Sequence, residues 1–205
     1  RFVGVRECRK HDRDGHLDLI VTSDFAGVDV YRNDGTGKFT DASDASVSDR
    51  NQFGMSHTMG DYDLDGKLDL FVASAIVHDG QTRNAILLAE GDKFRLDLDH
   101  PLASTADVRA ALWGEYDNDG LVDVYFCRRG LNQLWRQTTG GNWSDVTATT
   151  LTAGDQRDTV DGLMFDADHD GDLDLFLVNA DSPNELLSNN LDGTFRQLGA
   201  TQGIA

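Results

Sequence analysis

Four acidic nonapeptides recur along this chain at nearly constant spacing, and they constrain its fold more than any other feature. They are residues 10–18 (KHDRDGHLD), 61–69 (DYDLDGKLD), 115–123 (EYDNDGLVD) and 166–174 (DADHDGDLD). Their glycines, Gly15, Gly66, Gly120 and Gly171, are 51, 54 and 51 residues apart, so four copies fill the 205 residues. A fixed period of this length is the signature of a repeat architecture, in which each unit buries its apolar face against the next.

The flanks repeat as well. An apolar-rich run follows each loop: residues 17–21 (LDLIV), 68–72 (LDLFV), 122–126 (VDVYF) and 173–177 (LDLFL). Runs of this length and composition read as strands. Further on comes a second apolar pair, then a polar turn and an aromatic, as in residues 30–39 (VYRNDGTGKF) and 186–195 (LLSNNLDGTF). Residues 134–143 (LWRQTTGGNW) and 87–94 (LLAEGDKF) are looser versions. Asn-Asp-Gly and Asp-Gly between apolar runs signal hairpins. With a strand before each loop, such as 55–60 and 110–114, the unit holds about four short antiparallel strands, the blade of a β-propeller. No amphipathic helix is expected. The expected class is all-β, one propeller segment over 1–205, with repeats at about 1–46, 47–100, 101–153 and 154–205.

The loops follow the pattern D-x-D-x-D-G-x-x-D. Carboxylates at positions 1, 3, 5 and 9 crowd one turn and repel one another unless a cation sits among them. Hard oxygen ligands on a flexible loop suit Ca²⁺ better than Mg²⁺, which demands strict octahedral geometry. The expected ligands of loop two are Asp61, Asp63, Asp65 and Asp69, with the Lys67 carbonyl; of loop three, Glu115, Asp117, Asp119 and Asp123, with the Leu121 carbonyl. Loop four offers Asp166, Asp168, Asp170 and Asp174, with the Asp172 carbonyl. Loop one offers Asp12, Asp14 and Asp18, with the His16 carbonyl, but starts with Lys10, whose ammonium cannot ligate. Three strong calcium sites and a fourth weakened by Lys10 are expected. An EF-hand is excluded, because position 12 is Val21, Val72, Phe126 or Leu177 where that loop needs Glu.

Charge agrees with this reading. Asp plus Glu number 36 against 18 Lys plus Arg, a net charge of -18, of which three calcium ions would neutralise six. So acidic a surface disfavours nucleic acid and anionic lipid as partners. No apolar run approaches the length of a membrane span. Cys8 and Cys127 fall in apolar or small-residue columns of the aligned repeats and read as buried free thiols. Arg1 does not read as a natural start; the chain reads as a mature or excised piece.

The loops and their strands resemble FG-GAP repeats, also called VCBS repeats, of the integrin α-chain propeller. Residues 53–56 (FGMS) with 60–72, residues 32–41 (RNDGTGKFTD) and the ending 199–205 (GATQGIA) resemble the cartilage-acidic-protein (ASPIC/UnbV-associated) family. The resemblance implies calcium in the loop between the first two strands of each blade and a secreted, periplasmic or cell-surface location. It also implies a ring of seven blades, so these four are either part of a larger propeller, completed by further chain or a partner, or close alone. The function expected is a non-catalytic, calcium-stabilised scaffold for adhesion-type contacts with protein or glycan. The alternatives are a lectin-like propeller, to which Trp135, Trp143 and the arginines 128, 129 and 136 could contribute, and the propeller domain of a polysaccharide-degrading enzyme. Against the last, no G-x-S-x-G or H-E-x-x-H motif is present, and Ser56 and His57 alternate across a strand.

Overall fold

The computed structural model describes residues 3–7, 14–23, 27–47, 56–78, 81–154 and 157–198. Within these the chain is all-β, and it divides into two compact units, Arg1–Ala106 and Asp107–Ala205.

The first unit holds two four-stranded antiparallel sheets. One runs β1 (Val3–Glu7), β2 (Leu19–Ser23), β3 (Gly27–Asn33) and β4 (Phe39–Asp41) in spatial order. The other runs β5 (Ser56–Gly60), β6 (Asp69–His78), β7 (Gln81–Glu90) and β8 (Lys93–Asp97). Each strand pairs with its sequence neighbour, the topology that short Asp-Gly turns allow. Ile20, Val28 and Val30 of the first sheet share one core with Leu70, Val72, Ala85, Leu87 and Phe94 of the second. A buried hydrogen bond, Thr22 Oγ1 to His57 Nδ1 at 2.7 Å, joins the two sheets beside that core.

The second unit repeats the plan with one addition. Strands β9 (Val108–Gly114), β10 (Asp123–Gly130), β11 (Gln133–Thr138) and β12 (Asn142–Asp145) form one module. Strands β13 (Arg157–Phe165), β14 (Asp174–Asn179), β15 (Glu185–Asn189) and β16 (Phe195–Leu198) form another. The end of β10 leaves its own module and pairs with β13, Arg129 with Asp158 and Gly130 with Arg157, joining all eight strands into one sheet. The core gathers Leu112, Tyr125, Cys127, Leu134, Leu175, Leu177, Leu187 and Phe195. Val124, Tyr125, Phe126 and Cys127 are all fully buried, since both faces of this central strand are covered. Val124 and Phe126 each contribute about 1.5–3 kcal/mol of transfer free energy.

Cys127 is a free, buried thiol whose burial pushes its pKa well up, as expected of an inert packing residue. Cys8 lies outside the described residues, as do residues 53–55 and the ending 199–205. Trp143 is buried with Phe94 and Phe195 in its column and packs edge-on against Trp113, at a ring-centroid distance of 6.0 Å. Phe39 of the same column is 46% exposed.

Two single-turn helices, α1 (Ser43–Ser46) and α2 (Thr147–Thr150), follow fourth strands; at four residues each they are too short to be the amphipathic helices whose absence the sequence implies. Both follow an Asp-x-Ser/Thr turn. The Asp41 carboxylate accepts the Ser43 amide at 2.9 Å and its hydroxyl at 2.6 Å; Asp145 does the same for Thr147 at 3.0 and 2.5 Å. The hydroxyls also accept the amides of Val30 and Leu134. Such local side-chain bonds compete with extended backbone and end the fourth strand. Among the described residues no helix is long and apolar enough to cross a membrane.

Candidate metal centres

Each acidic loop joins the first two strands of a module, and its backbone is held by its own carboxylates. In loop two, Asp61 accepts the amides of Asp65 and Gly66 at 3.0 and 2.9 Å. Asp65 in turn accepts the amide of Lys67 at 2.9 Å. Loop four repeats this: Asp166 takes the amides of Asp170 and Gly171, both at 3.2 Å, and Asp170 that of Asp172 at 3.1 Å. In loop three Glu115 accepts the Asp119 amide at 3.0 Å, and Asp119 that of Leu121 at 2.8 Å. The position-6 glycines are left-handed in all four loops, with φ of +102°, +84°, +84° and +99°. Position 4 is left-handed too, at Leu64, Asn118 and His169, an arrangement the sequence does not advertise for leucine.

The ninth residue is a clamp. Asp69 is 1% exposed, and its two oxygens accept the amides of Tyr62 in the loop and Ala89 on β7, both at 2.8 Å. Asp123 holds Tyr116 and Gln137 at 3.2 and 2.9 Å; Asp174 holds Ala167 and Asn189, both at 2.8 Å. In loop one Asp18 accepts the Asn33 amide at 3.0 Å. The loop is thus fastened to the third strand of its module, a contact that no spacing within the loop reveals.

Three carboxylate triads result: Asp61, Asp63 and Asp69; Glu115, Asp117 and Asp123; Asp166, Asp168 and Asp174. One oxygen from each member of a triad lies within 4.8 Å of the others. Asp65, Asp119 and Asp170 stand outside these triads, one oxygen of each engaged with the amide two residues on. The position-7 residues Lys67, Leu121, Asp172 and His16 are those whose amides are held in this way. In loop one Asp14 accepts the His16 amide at 2.7 Å, while Lys10 and Asp12 lie outside the described residues.

The electrostatics leave room for a cation. Burial, reinforced by Asp63 and Asp65, pushes the Asp69 carboxyl up to about 6; burial with Asp117 and Asp119 pushes Asp123 up to about 7. Asp117 and Asp168 are raised as well, first by desolvation and then by neighbouring carboxylates. The Asp117 Oδ1 atom is buried without a hydrogen-bond partner. An orphaned carboxylate oxygen beside two more carboxylates fits a hard divalent ion. Loop three carries a competitor. Arg136 reaches Asp117 Oδ2 at 2.5 Å through Nε and Asp119 Oδ2 at 2.9 Å through Nη2. The corresponding residues, one before each amide held by the ninth position, are Leu88 and Ser188. Lys67 pairs with Asp65 in loop two.

Residues 11–72 and 115–177 match the FG-GAP-like repeat. Cartilage acidic protein 1 of Mus musculus is 29% identical over 171 residues, 78% of this chain and 26% of its own length. The Homo sapiens protein of the same name is 28% identical over 171 residues, 78% of this chain and 25% of its own. The chain therefore spans about a quarter of the length of these relatives. Among solved structures, a lectin of Agrocybe aegerita, described for its specific recognition of non-reducing terminal N-acetylglucosamine, superposes with a TM-score of 0.58 at 17% identity. The match covers 98% of this chain and 54% of the lectin chain and concerns the fold alone.

Proposed function

The chain belongs to the FG-GAP-like repeat family, and from that premise we propose that it is a calcium-stabilised, non-catalytic β-propeller scaffold for extracellular contacts with protein or glycan. Its four-stranded modules are the blades of that propeller. The observation that carries the reading is the same carboxylate triad at the same corner of three modules. Asp61, Asp63 and Asp69 would hold one ion, Glu115, Asp117 and Asp123 a second, Asp166, Asp168 and Asp174 a third. When bound, calcium supplies positive charge that offsets the repulsion and desolvation of these groups. Its role is to fix the loop between the first and second strands, and through the ninth residue the third. The lectin likeness supports the glycan half of the reading, and the likeness to cartilage acidic protein 1 supports an extracellular setting.

Thermal melting with calcium and with EGTA tests this. An ion present at 100 times its Kd adds about 2.7 kcal/mol per site. For units of this size that raises Tm by about 10 °C or more. A midpoint unchanged by EGTA would overturn the reading.

A further inference from the structure

We propose that the second unit carries a binding cleft for an uncharged, hydroxyl-rich ligand of the chemical class of a neutral saccharide, at the junction where β10 pairs with β13. The proposal names a ligand class for the contact function above and rests on that reading only in this respect, not on the ions.

The cleft has a volume of about 640 Å³ and is lined by Arg129, Gly130, Arg157, Asp158, Asp181 and Ser182. This is within the range of small-ligand sites. It lies at the strand ends remote from the acidic loops. Strand β13 starts at the cleft with Arg157 and runs into loop four; β14 leaves that loop at Asp174 and returns to the turn at 180–182. Six to nine extended residues put roughly 20–30 Å between the two ends.

Its floor is rigid. The Asp158 carboxylate receives Arg109 through Nε and Nη2 at 3.2 and 3.1 Å, and its Oδ2 lies 3.5 Å from Arg129 Nε. Arg157 Nη1 lies 2.9 Å from the buried Glu185 carboxylate. Below, Asn132 Nδ2 donates to Thr159 Oγ1 at 3.0 Å and Thr159 Oγ1 to Asn179 Oδ1 at 2.8 Å. The backbone amide of Ala180 donates to the Asp158 carbonyl at 2.9 Å, tying the turn that carries Asp181 and Ser182 to β13.

Polar groups stand at this floor and just beneath its surface. The Ser182 Oγ is enclosed without a hydrogen-bond partner, so a rotation of its side chain toward the cleft gains bonds that its present position lacks, and the hydroxyl both donates and accepts. The Arg129 side chain is 69% exposed, and Asp181 is exposed beside it. Among the described residues two arginines and two aspartates line the cleft, so these select neither an anion nor a cation by net charge. Among the same residues no aliphatic or aromatic side chain lines it, so they do not select an apolar ligand. A ligand that meets a carboxylate, a guanidinium and a hydroxyl at once must donate and accept at several closely spaced points, as a sugar ring does.

The test uses the full chain with calcium. Neutral saccharides (N-acetylglucosamine, galactose, mannose and their disaccharides) are screened by saturation-transfer NMR beside sialylated and sulfated ones, and hits are titrated calorimetrically. At least one neutral saccharide is expected to bind, with affinity falling tenfold or more in Asp181→Ala and Arg129→Ala and severalfold in Ser182→Ala, while melting temperatures stay within a few degrees of wild type. Binding restricted to acidic saccharides, no binding at all, or affinity indifferent to all three substitutions would overturn the proposal. Melting in EGTA separates the two readings. Saccharide binding without a calcium shift sinks only the ion reading, and a calcium shift without saccharide binding sinks only the cleft.

Discussion

Replacing Asp69 by Asn separates a carboxylate kept as a clamp from one kept for a cation. The side chain is 1% exposed and accepts two amides at 2.8 Å. Burial pushes its pKa from 3.8 up to about 6, so at pH 7.5 it is ionised in the fold, but at a cost that the unfolded chain does not bear and that no ion offsets in the metal-free protein. That gap corresponds to about 3 kcal/mol, and water at the exposed loop rim beside Asp65 reduces it to about 1–2 kcal/mol. Asn keeps the shape and one acceptor but turns an NH₂ toward the second amide, a loss of about 1 kcal/mol. The two effects offset, so the metal-free variant is expected to equal wild type or exceed it by up to about 1 kcal/mol. With calcium at 100 times its Kd, the variant lacks the ion's contribution at loop two and falls about 2–3 kcal/mol below wild type. Urea unfolding at pH 7.5, with and without calcium, measures both differences. An equal loss of 3 kcal/mol or more under both conditions would refute the reasoning, because the carboxylate would then act by its hydrogen bonds alone.

The same shifts set a pH dependence whose sign changes with calcium. The folded-state pKa values of Asp69 and Asp123, about 6 and about 7, exceed the unfolded value. Their ionisation therefore opposes folding in full above pH 7, and the penalty is relieved as pH falls through 7 toward 4. Metal-stripped protein should melt at a higher temperature at pH 5 than at pH 8, and calcium-saturated protein at a lower one, since protons then displace the ion. Parallel pH profiles would count against the ion. In loop three, Arg136→Ser installs the residue that β15 carries at Ser188 and removes two part-exposed ion pairs to Asp117 and Asp119. Calcium affinity of that loop should rise about threefold to thirtyfold, read by calorimetry in a chain whose loops two and four carry Asp63→Asn and Asp168→Asn; unchanged affinity would show that the guanidinium does not compete.

Much of the strand pattern could be read from the residues because it is local. The runs after each loop become β2, β6, β10 and β14, and the Asp-Gly turn of 30–39 joins β3 to β4. Trp143 and Cys127 pack as their repeat columns imply. What escaped reading depends on distant partners or on backbone state. The grip of Asp69 on Ala89 spans twenty residues, and that of Asp174 on Asn189 fifteen. The left-handed Leu64 is imposed by the loop's closure against leucine's own preference. The pairing of Arg129 and Gly130 with β13 joins two modules, so the period of a single repeat does not show it. The two short helices have a local signal, Asp41-Ala-Ser43 and Asp145-Val-Thr147, whose aspartate is the last residue of its fourth strand and lies two residues after that strand's aromatic, Phe39 or Trp143.

The most direct measurement is an anomalous difference map from crystals grown in calcium, collected at long wavelength. The account places one peak within each triad, against Asp61, Asp63 and Asp69, against Glu115, Asp117 and Asp123, and against Asp166, Asp168 and Asp174. Maps that show no anomalous density at these corners, with the carboxylates facing water or the side chains of Arg136 and Lys67 instead, would contradict it.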